Sequence, residues 1–289
     1  MALYNGRVIR DARLAQHLTQ AELGAGICDQ PAISHIENSN ELPSDRIIKI
    51  LLNRLNLRYS DVIDNKNVNA NYALPEIEEL ISKQQYQLAT ERLKALDRDT
   101  LTTHTTLEAD FLIAYVNFHL NKNYDQAIFE FNRNILGDEK QLIDPFEILS
   151  LDQLGLIYCL KKELDNARFY FQQIPDLLSK ANIASNTYWI TLIYHDLAFF
   201  YSRTHEYKLS NHYAKRGLEL LKENHQSQFV DSLSFTIGKN YANTTQDWKK
   251  SSAKHFLQQA ITFGKFKGNL DLVKRAEAII VQHEQSYTN

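Results

Sequence analysis

The chain is predicted to be all-α: an N-terminal domain of five short helices, then a right-handed solenoid built from helix pairs. Three observations predict it. Nine glycines and five prolines among 289 residues leave few breaks. Apolar residues recur at three- and four-residue spacing almost throughout, and no period-2 run appears. Small and aromatic residues also return together near positions 77, 115, 155, 198 and 238.

At this length the chain buries a large core without disulfide or metal. With 32 basic and 35 acidic residues, its net charge gives no global sign of a polyanion partner. Cys28 and Cys159 stand far apart in apolar settings, so a reducing cytoplasm is expected. Arg7, Arg10 and Arg13 are followed by no apolar segment of the secretory kind. The most apolar stretch, residues 188–202, is interrupted by His195 and Asp196 and is too short to span a bilayer, so no membrane partner is expected.

The first helix carries IRDAR. Thr19, with Glu22 three residues on, forms a capping box that starts the second helix at Gln20. Gly24 marks a close approach by a neighbouring helix, and Cys28 is placed at the tight corner. Asp29 caps a third helix with Gln30 and Pro31 in its first turn. Ile33 and Ile36 then face the core, which leaves Gln30, Pro31, Ser34 and His35 outward, with Asn38 at the end of the same helix. LPSDRIIKILLNRLNL, residues 42–57, is read as a further amphipathic helix opening at Pro43. Residues 66–75 are read as a linker after a domain at 1–65, with Pro75 opening the next helix.

From 76 to 289 the recurring frame is Ile77, Leu80, Ala89, Leu93; Tyr115, Phe118, Ala127, Phe131; Gly155, Tyr158, Ala167, Phe171; Ala198, Tyr201, Ser210, Ala214; and Gly238, Tyr241, Ala253, Leu257. An insertion near TTQDW shifts the last copy. The frame resembles degenerate tetratricopeptide repeats, about five helix pairs stacked on one another. A non-repetitive helical bundle is the alternative.

The outward residues of the third helix suit base edges. A glutamine pairs bidentately with adenine, Ser and His donate or accept, and Pro touches a thymine methyl. Gln20 at a helix start, with Arg7, Arg10 and Arg13, would meet phosphates. In the repeats, the first helix of each pair is expected to line a concave face with Leu112, Val116 and His119; Asp152, Leu156 and Cys159; His195, Phe199 and Ser202; and Phe235, Lys239 and Ala242. Such a mixed groove suits an extended peptide, with Lys239 or His195 meeting a carboxylate. Asn117 and Asn243 are nearby candidates.

The order IRDAR, LTQAEL, ISHIENS, LPSDRIIKILLNRL resembles the phage-repressor type of helix-turn-helix domain. GICDQPAISHIENS, followed by tetratricopeptide-like repeats to the C-terminus, resembles the PlcR/Rgg-type (RRNPP) peptide-responsive transcription regulators of Gram-positive bacteria. That resemblance implies a cytoplasmic homodimer that binds promoter operator DNA and is gated by a short signalling peptide held in the concave groove, as in quorum sensing.

No catalytic constellation is found, and no cofactor or metal is expected. His205 and Glu206 have their next histidine at 212, so HExxH is absent. GAG at 24–26 is read as lying inside the second helix, and GKFKG lacks phosphate-loop spacing. His195 and Asp196 are adjacent in sequence, so they point about 100° apart on a helix and are not expected to form a dyad. Residues 1–65 hold seven basic and eight acidic side chains. That near-neutrality motivates a second reading, a protein-interaction scaffold, and a third is an inhibitor of a signalling protein.

Overall fold

A computed structural model describes residues 5–38, 44–62, 70–135, 144–180, 186–244 and 252–285, and these residues form helices and no strand. The chain divides into two compact units, residues 1–122 and 123–289. No described helix is long and apolar enough to cross a membrane.

The first unit opens with α1 (Gly6–Ala15), α2 (Gln20–Gly24), α3 (Gln30–Asn38), α4 (Asp45–Leu55) and α5 (Tyr59–Val62). Their core joins Ile9, Leu23, Ile33, Ile36, Ile48, Leu51, Leu52, Leu55 and Val62. The predicted caps are present: Thr19 and Glu22 form the reciprocal box at α2, and Asp29 Oδ1 accepts the Ala32 N–H at 3.1 Å. A Cβ on Gly24 would come within 3.1 Å of Ile33 Cγ1, the predicted close approach of α3. Arg54 closes the other end of α2, donating to the carbonyls of Leu23 at 2.7 Å and Ala25 at 2.9 Å.

One reading of the corner is corrected. α2 stops at Gly24, so Ala25 and Gly26 lie outside it. Cys28 lies in the corner between α2 and α3, and the left-handed residue there is Gly26, at φ +74°, a conformation that a residue without Cβ takes freely. The Pro43 start of α4 lies outside the described residues, as do positions 66–69 of the expected linker.

The same unit continues with α6 (Ala70–Ser82), α7 (Tyr86–Lys94), a 3₁₀ turn at Arg98–Thr100 and α8 (Thr103–Asn121). α6 begins five residues before Pro75, which therefore sits inside the helix rather than at its start and removes one backbone hydrogen bond there.

The second unit contains α9 (Tyr124–Ile135), α10 (Pro145–Leu160), α11 (Leu164–Phe171), α12 (Ile174–Lys180), α13 (Thr187–Arg203), α14 (Tyr207–Glu223), α15 (Val230–Thr244), α16 (Ala253–Lys267) and α17 (Leu270–Gln285). In chain order the helices from α6 onward form five pairs among the described residues, with α12 added to the third and α17 after the last. The repeat frame has a steric cause. A Cβ on Gly155 would meet the Phe171 ring at 2.9 Å, and one on Gly238 would meet Leu257 Cγ at 2.7 Å. The small anchor of the first helix thus makes room for the large residue of the second. In the fourth pair the second helix uses Ser210, whose buried hydroxyl donates to the Ala198 carbonyl at 2.7 Å.

One feature of the frame is invisible in residue type. Seven residues after the anchors at 77, 115, 155 and 198 stand Gln84, Lys122, Lys162 and His205, and all four are left-handed, at φ 59°, 54°, 66° and 62°. After Gln84, Lys162 and His205 the next residue donates back to a carbonyl five positions earlier (Gln85 to Leu80 at 2.9 Å, Glu163 to Tyr158 at 2.9 Å, Glu206 to Tyr201 at 2.8 Å), so these three turns are the same turn, made without glycine.

Within the second unit, α10 packs on α13, α13 on α15 and α15 on α17, so these helices form one row.

Candidate functional site

The N-terminal end of α3 presents Gln30, Pro31 and His35 to solvent, with Ser34 half-buried. A chain of hydrogen bonds reaches the first of these from the interior. Arg13 Nε and Nη2 donate to the two Glu37 carboxylate oxygens at 2.5 and 2.9 Å. Gln20 Nε2 donates to Glu37 Oε2 at 2.9 Å, and Gln30 Nε2 donates to Gln20 Oε1 at 2.6 Å. The polarity is forced from one end. An ionised carboxylate only accepts, so Gln20 must turn its NH₂ inward and its oxygen outward, and Gln30 must answer with its own NH₂.

That leaves on Gln30 one N–H and the amide oxygen, the donor and acceptor pair that matches N7 and N6 of adenine. Burial pushes the Glu37 carboxyl up, but hydrogen bonds from Arg13 and Gln20 and the charges of Arg13 and Arg10 outweigh it and hold the group below its usual range.

Arg7 and Arg10 are exposed on α1, as expected of phosphate contacts. Arg13 is not. It is buried, and besides Glu37 it caps the Leu18 carbonyl at 2.7 Å, so it fastens α1 to α3 and its guanidinium is held inside the domain, away from any phosphate. Asn38 is exposed, and its Nδ2 donates to the Ser34 carbonyl at 2.7 Å. Sequence reading missed Glu37 and Arg54, whose partners are distant in the chain. It also missed Gly6, where a Cβ would fall on the Ile36 carbonyl oxygen.

In the repeats the expected groove residues divide. Leu112, Val116, Cys159, Ser202, Phe235 and Ala242 are buried. The inner helices have neighbours on several sides, α13 touching α10, α14 and α15, so little of their circumference stays free. His119 is corrected in the same way. It lies between Tyr86 (centroids 4.9 Å, stacked) and Tyr115 (4.4 Å). Burial, helped by the Lys122 charge, lowers its pKa to about 4, so it is a neutral packing group. Asn117, on the same helix, lines a cavity of about 330 Å³ with Leu93, Leu96 and Ile113.

Asp152, expected in the groove, is wholly buried. Gln153 Nε2 donates to Asp152 Oδ2 at 3.0 Å and to Asp196 Oδ2 at 3.3 Å. Burial and the Asp196 charge push the Asp152 carboxyl well up. Asp152 Oδ1 and Gln153 Oε1 are buried acceptors without a hydrogen-bond partner.

His195 does meet Asp196, against expectation: its Nδ1 stands 2.7 Å from Asp196 Oδ1. Successive helical side chains leave the axis about 100° apart, but the imidazole leans on Phe229, with centroids 5.4 Å apart, and folds back to the carboxylate. His195, Phe199, Leu156 and Lys239 are half-buried, and Asn243 is exposed. Cys159 has its thiol pushed up to about 11, chiefly by burial, and is inert. Among the described residues no group of three His, Cys, Asp or Glu side chains is placed to hold a metal ion.

Residues 9–62 match the helix-turn-helix family model. No curated protein sequence matches the chain. Among solved structures, PlcR of Bacillus thuringiensis in complex with the peptide PapR7 and DNA is similar at TM-score 0.58 and 17% identity, over 95% of this chain and 98% of that one. PrgX in complex with cCF10 is similar at TM-score 0.53 and 12% identity, over 96% and 98%. The apo competence regulator ComR of Streptococcus vestibularis is similar at 0.52 and 16%, over 94% and 95%. The N-terminal five helices are therefore a helix-turn-helix domain, and the resemblance to PlcR-type regulators read from the sequence holds for the fold of nearly the whole chain.

Proposed function

We propose that this chain is a cytoplasmic transcription regulator that binds promoter DNA through α3 as a homodimer and is gated by a short signalling peptide. The observation that carries the reading is the Gln30 amide, exposed at the start of α3 and oriented by the Arg13–Glu37–Gln20 chain. Gln20, Pro31, Ser34, His35 and Asn38 flank it, and Arg7 and Arg10 supply phosphate contacts. Likeness to PlcR bound to PapR7 and DNA, and to PrgX bound to cCF10, supports both kinds of ligand.

The peptide would lie along α10, α13 and α15 against Leu156, His195, Phe199, Lys239 and Asn243. A peptide that prefers one arrangement of these helices shifts the population toward it. In a dimer that shift decides whether two recognition helices reach half-sites about 34 Å apart. The reading assigns the chain no catalytic step.

The test is fluorescence anisotropy with DNA from upstream of the protein's own and neighbouring genes, with and without peptides encoded beside it. Specific binding is expected, and Gln30→Ala should lower discrimination at one base pair by about 1–3 kcal/mol. Binding that ignores sequence, with the variant unchanged, would remove the role.

The scaffold reading is favoured by one observation: of the seven basic side chains in residues 1–65, Arg13 and Arg54 are spent on internal partners. A steep fall of DNA affinity with salt speaks for phosphate contacts and against a scaffold.

A further inference from the structure

Three cations stand on consecutive helices of the row formed by α13, α15 and α17. Arg203, in the last turn of α13, lies over the Phe199 ring at 5.6 Å from its centroid. Arg275 of α17 lies over the Phe235 ring at 4.8 Å. Phe235 and Lys239 are four residues apart on α15 and so share a face, which brings Arg275 beside Lys239. Ser202 Oγ donates to Asn240 Oδ1 at 2.7 Å, clamping α13 to α15 at the residues that adjoin Arg203 and Lys239.

Charge compensation inside this cluster is poor. Neither Arg203 nor Lys239 forms an ion pair with a described residue, and Arg275 has only exposed Asp271, at 3.5 Å one turn away. The nearest buried polar group cannot substitute. Asn240 is neutral, and its amide is already spent on Ser202, Ser210 and Asn211. Burial and the charges of Arg275 and Arg203 hold the Lys239 ammonium below its ordinary range, the mark of a cation lacking a counter-charge.

We propose that Lys239, Arg203 and Arg275 form a binding site for a carboxylate of the peptide ligand. This rests on the peptide reading above and deepens it by assigning an end and a direction. A carboxylate would bridge α13, α15 and α17 and supply the missing negative charge. His195 lies eight residues before Arg203 on α13, about 12 Å along the axis. A peptide held at the cations would therefore run over Phe199 toward His195 and the Asp196 carboxylate, a side of the site that disfavours a second carboxylate and hence the reverse orientation.

The test uses a mixture of random heptapeptides, half with a free C-terminal carboxylate and half amidated. The full-length protein is incubated with the mixture, and the retained peptides are identified by mass spectrometry. At least tenfold enrichment of free acids, or retention of amides rich in Asp and Glu, is expected, the first locating the carboxylate at the C-terminus and the second on a side chain. Lys239→Gln should erase the enrichment, and Arg275→Gln, at an exposed side chain, should reduce it. Peptides retained with no preference for carboxylates would overturn the site while leaving the peptide reading intact. Retention of no peptide would overturn both.

Discussion

The helix-turn-helix domain and the repeats handle buried polar groups in opposite ways. In the first, every link from Arg13 through Glu37 and Gln20 to Gln30 has a donor facing an acceptor, and the series ends in solvent with its polarity fixed. In the second, Asp152 and Asp196 share one neighbourhood, Asp152 Oδ1 and Gln153 Oε1 go unpaired beside them, and three cations crowd together. The contrast teaches that matched networks hold a geometry, whereas unmatched ones leave free energy for an incoming group to recover.

Breaking the matched network should have the largest effect. Glu37→Ala strands a buried guanidinium, so chemical denaturation should show a loss of about 3–5 kcal/mol. A loss under about 1 kcal/mol would mean that Arg13 finds water instead.

His119 sharpens the comparison, since it is buried by giving up its charge. With its folded pKa lowered to about 4 from 6.5, the unfolded chain takes the proton first as pH falls. The stability it contributes is complete above pH 6.5 and declines through the window down to about 4, by about 3 kcal/mol at 1.4 kcal/mol per unit. His119→Phe should flatten that acid limb in urea titrations at a series of pH values.

Asp152 has the opposite sign. Its folded pKa is raised, so its contribution is complete at acid pH and is lost as pH climbs through the folded value. Asp152→Asn keeps the shape without the charge. The urea midpoint should rise at pH 8 and stay unchanged at pH 4, and equal shifts at both would refute the raised Asp152 pKa.

The smallest effect concerns the repeat turns. Lys162 at φ 66° occupies a conformation that costs a residue with a Cβ about 1 kcal/mol relative to glycine. Lys162→Gly should raise the melting temperature by a few degrees. No gain would show that its side chain compensates.

Much of this fold was legible because local chemistry dictates it. Thr19 with Glu22 and Asp29 before Gln30 and Pro31 placed two helix starts to the residue, and the Gly155–Phe171 and Gly238–Leu257 pairs are steric partners at fixed spacing. The groove was less legible. Taking one face of each inner helix ignored the neighbours on either side, so Asp152 and His119 were assigned to solvent when packing had claimed them. Arg13 was misread for a related reason. A surface-typed residue becomes a core residue only through a partner 24 positions away, and nothing near it in the chain announces Glu37. The cation cluster shares this difficulty, because Arg203 and Arg275 meet Lys239 only once α13, α15 and α17 lie side by side.

The contact at Gly6 ties these threads to mechanics. Because the start of α1 rests directly on the Ile36 carbonyl, with no side chain between them to yield, those two helices must tilt as one rigid lever. In the proposed complex, a tug on a phosphate gripped by Arg7 or Arg10 would therefore be felt at Gln30 without slack, and backbone touching backbone would set the register along the duplex.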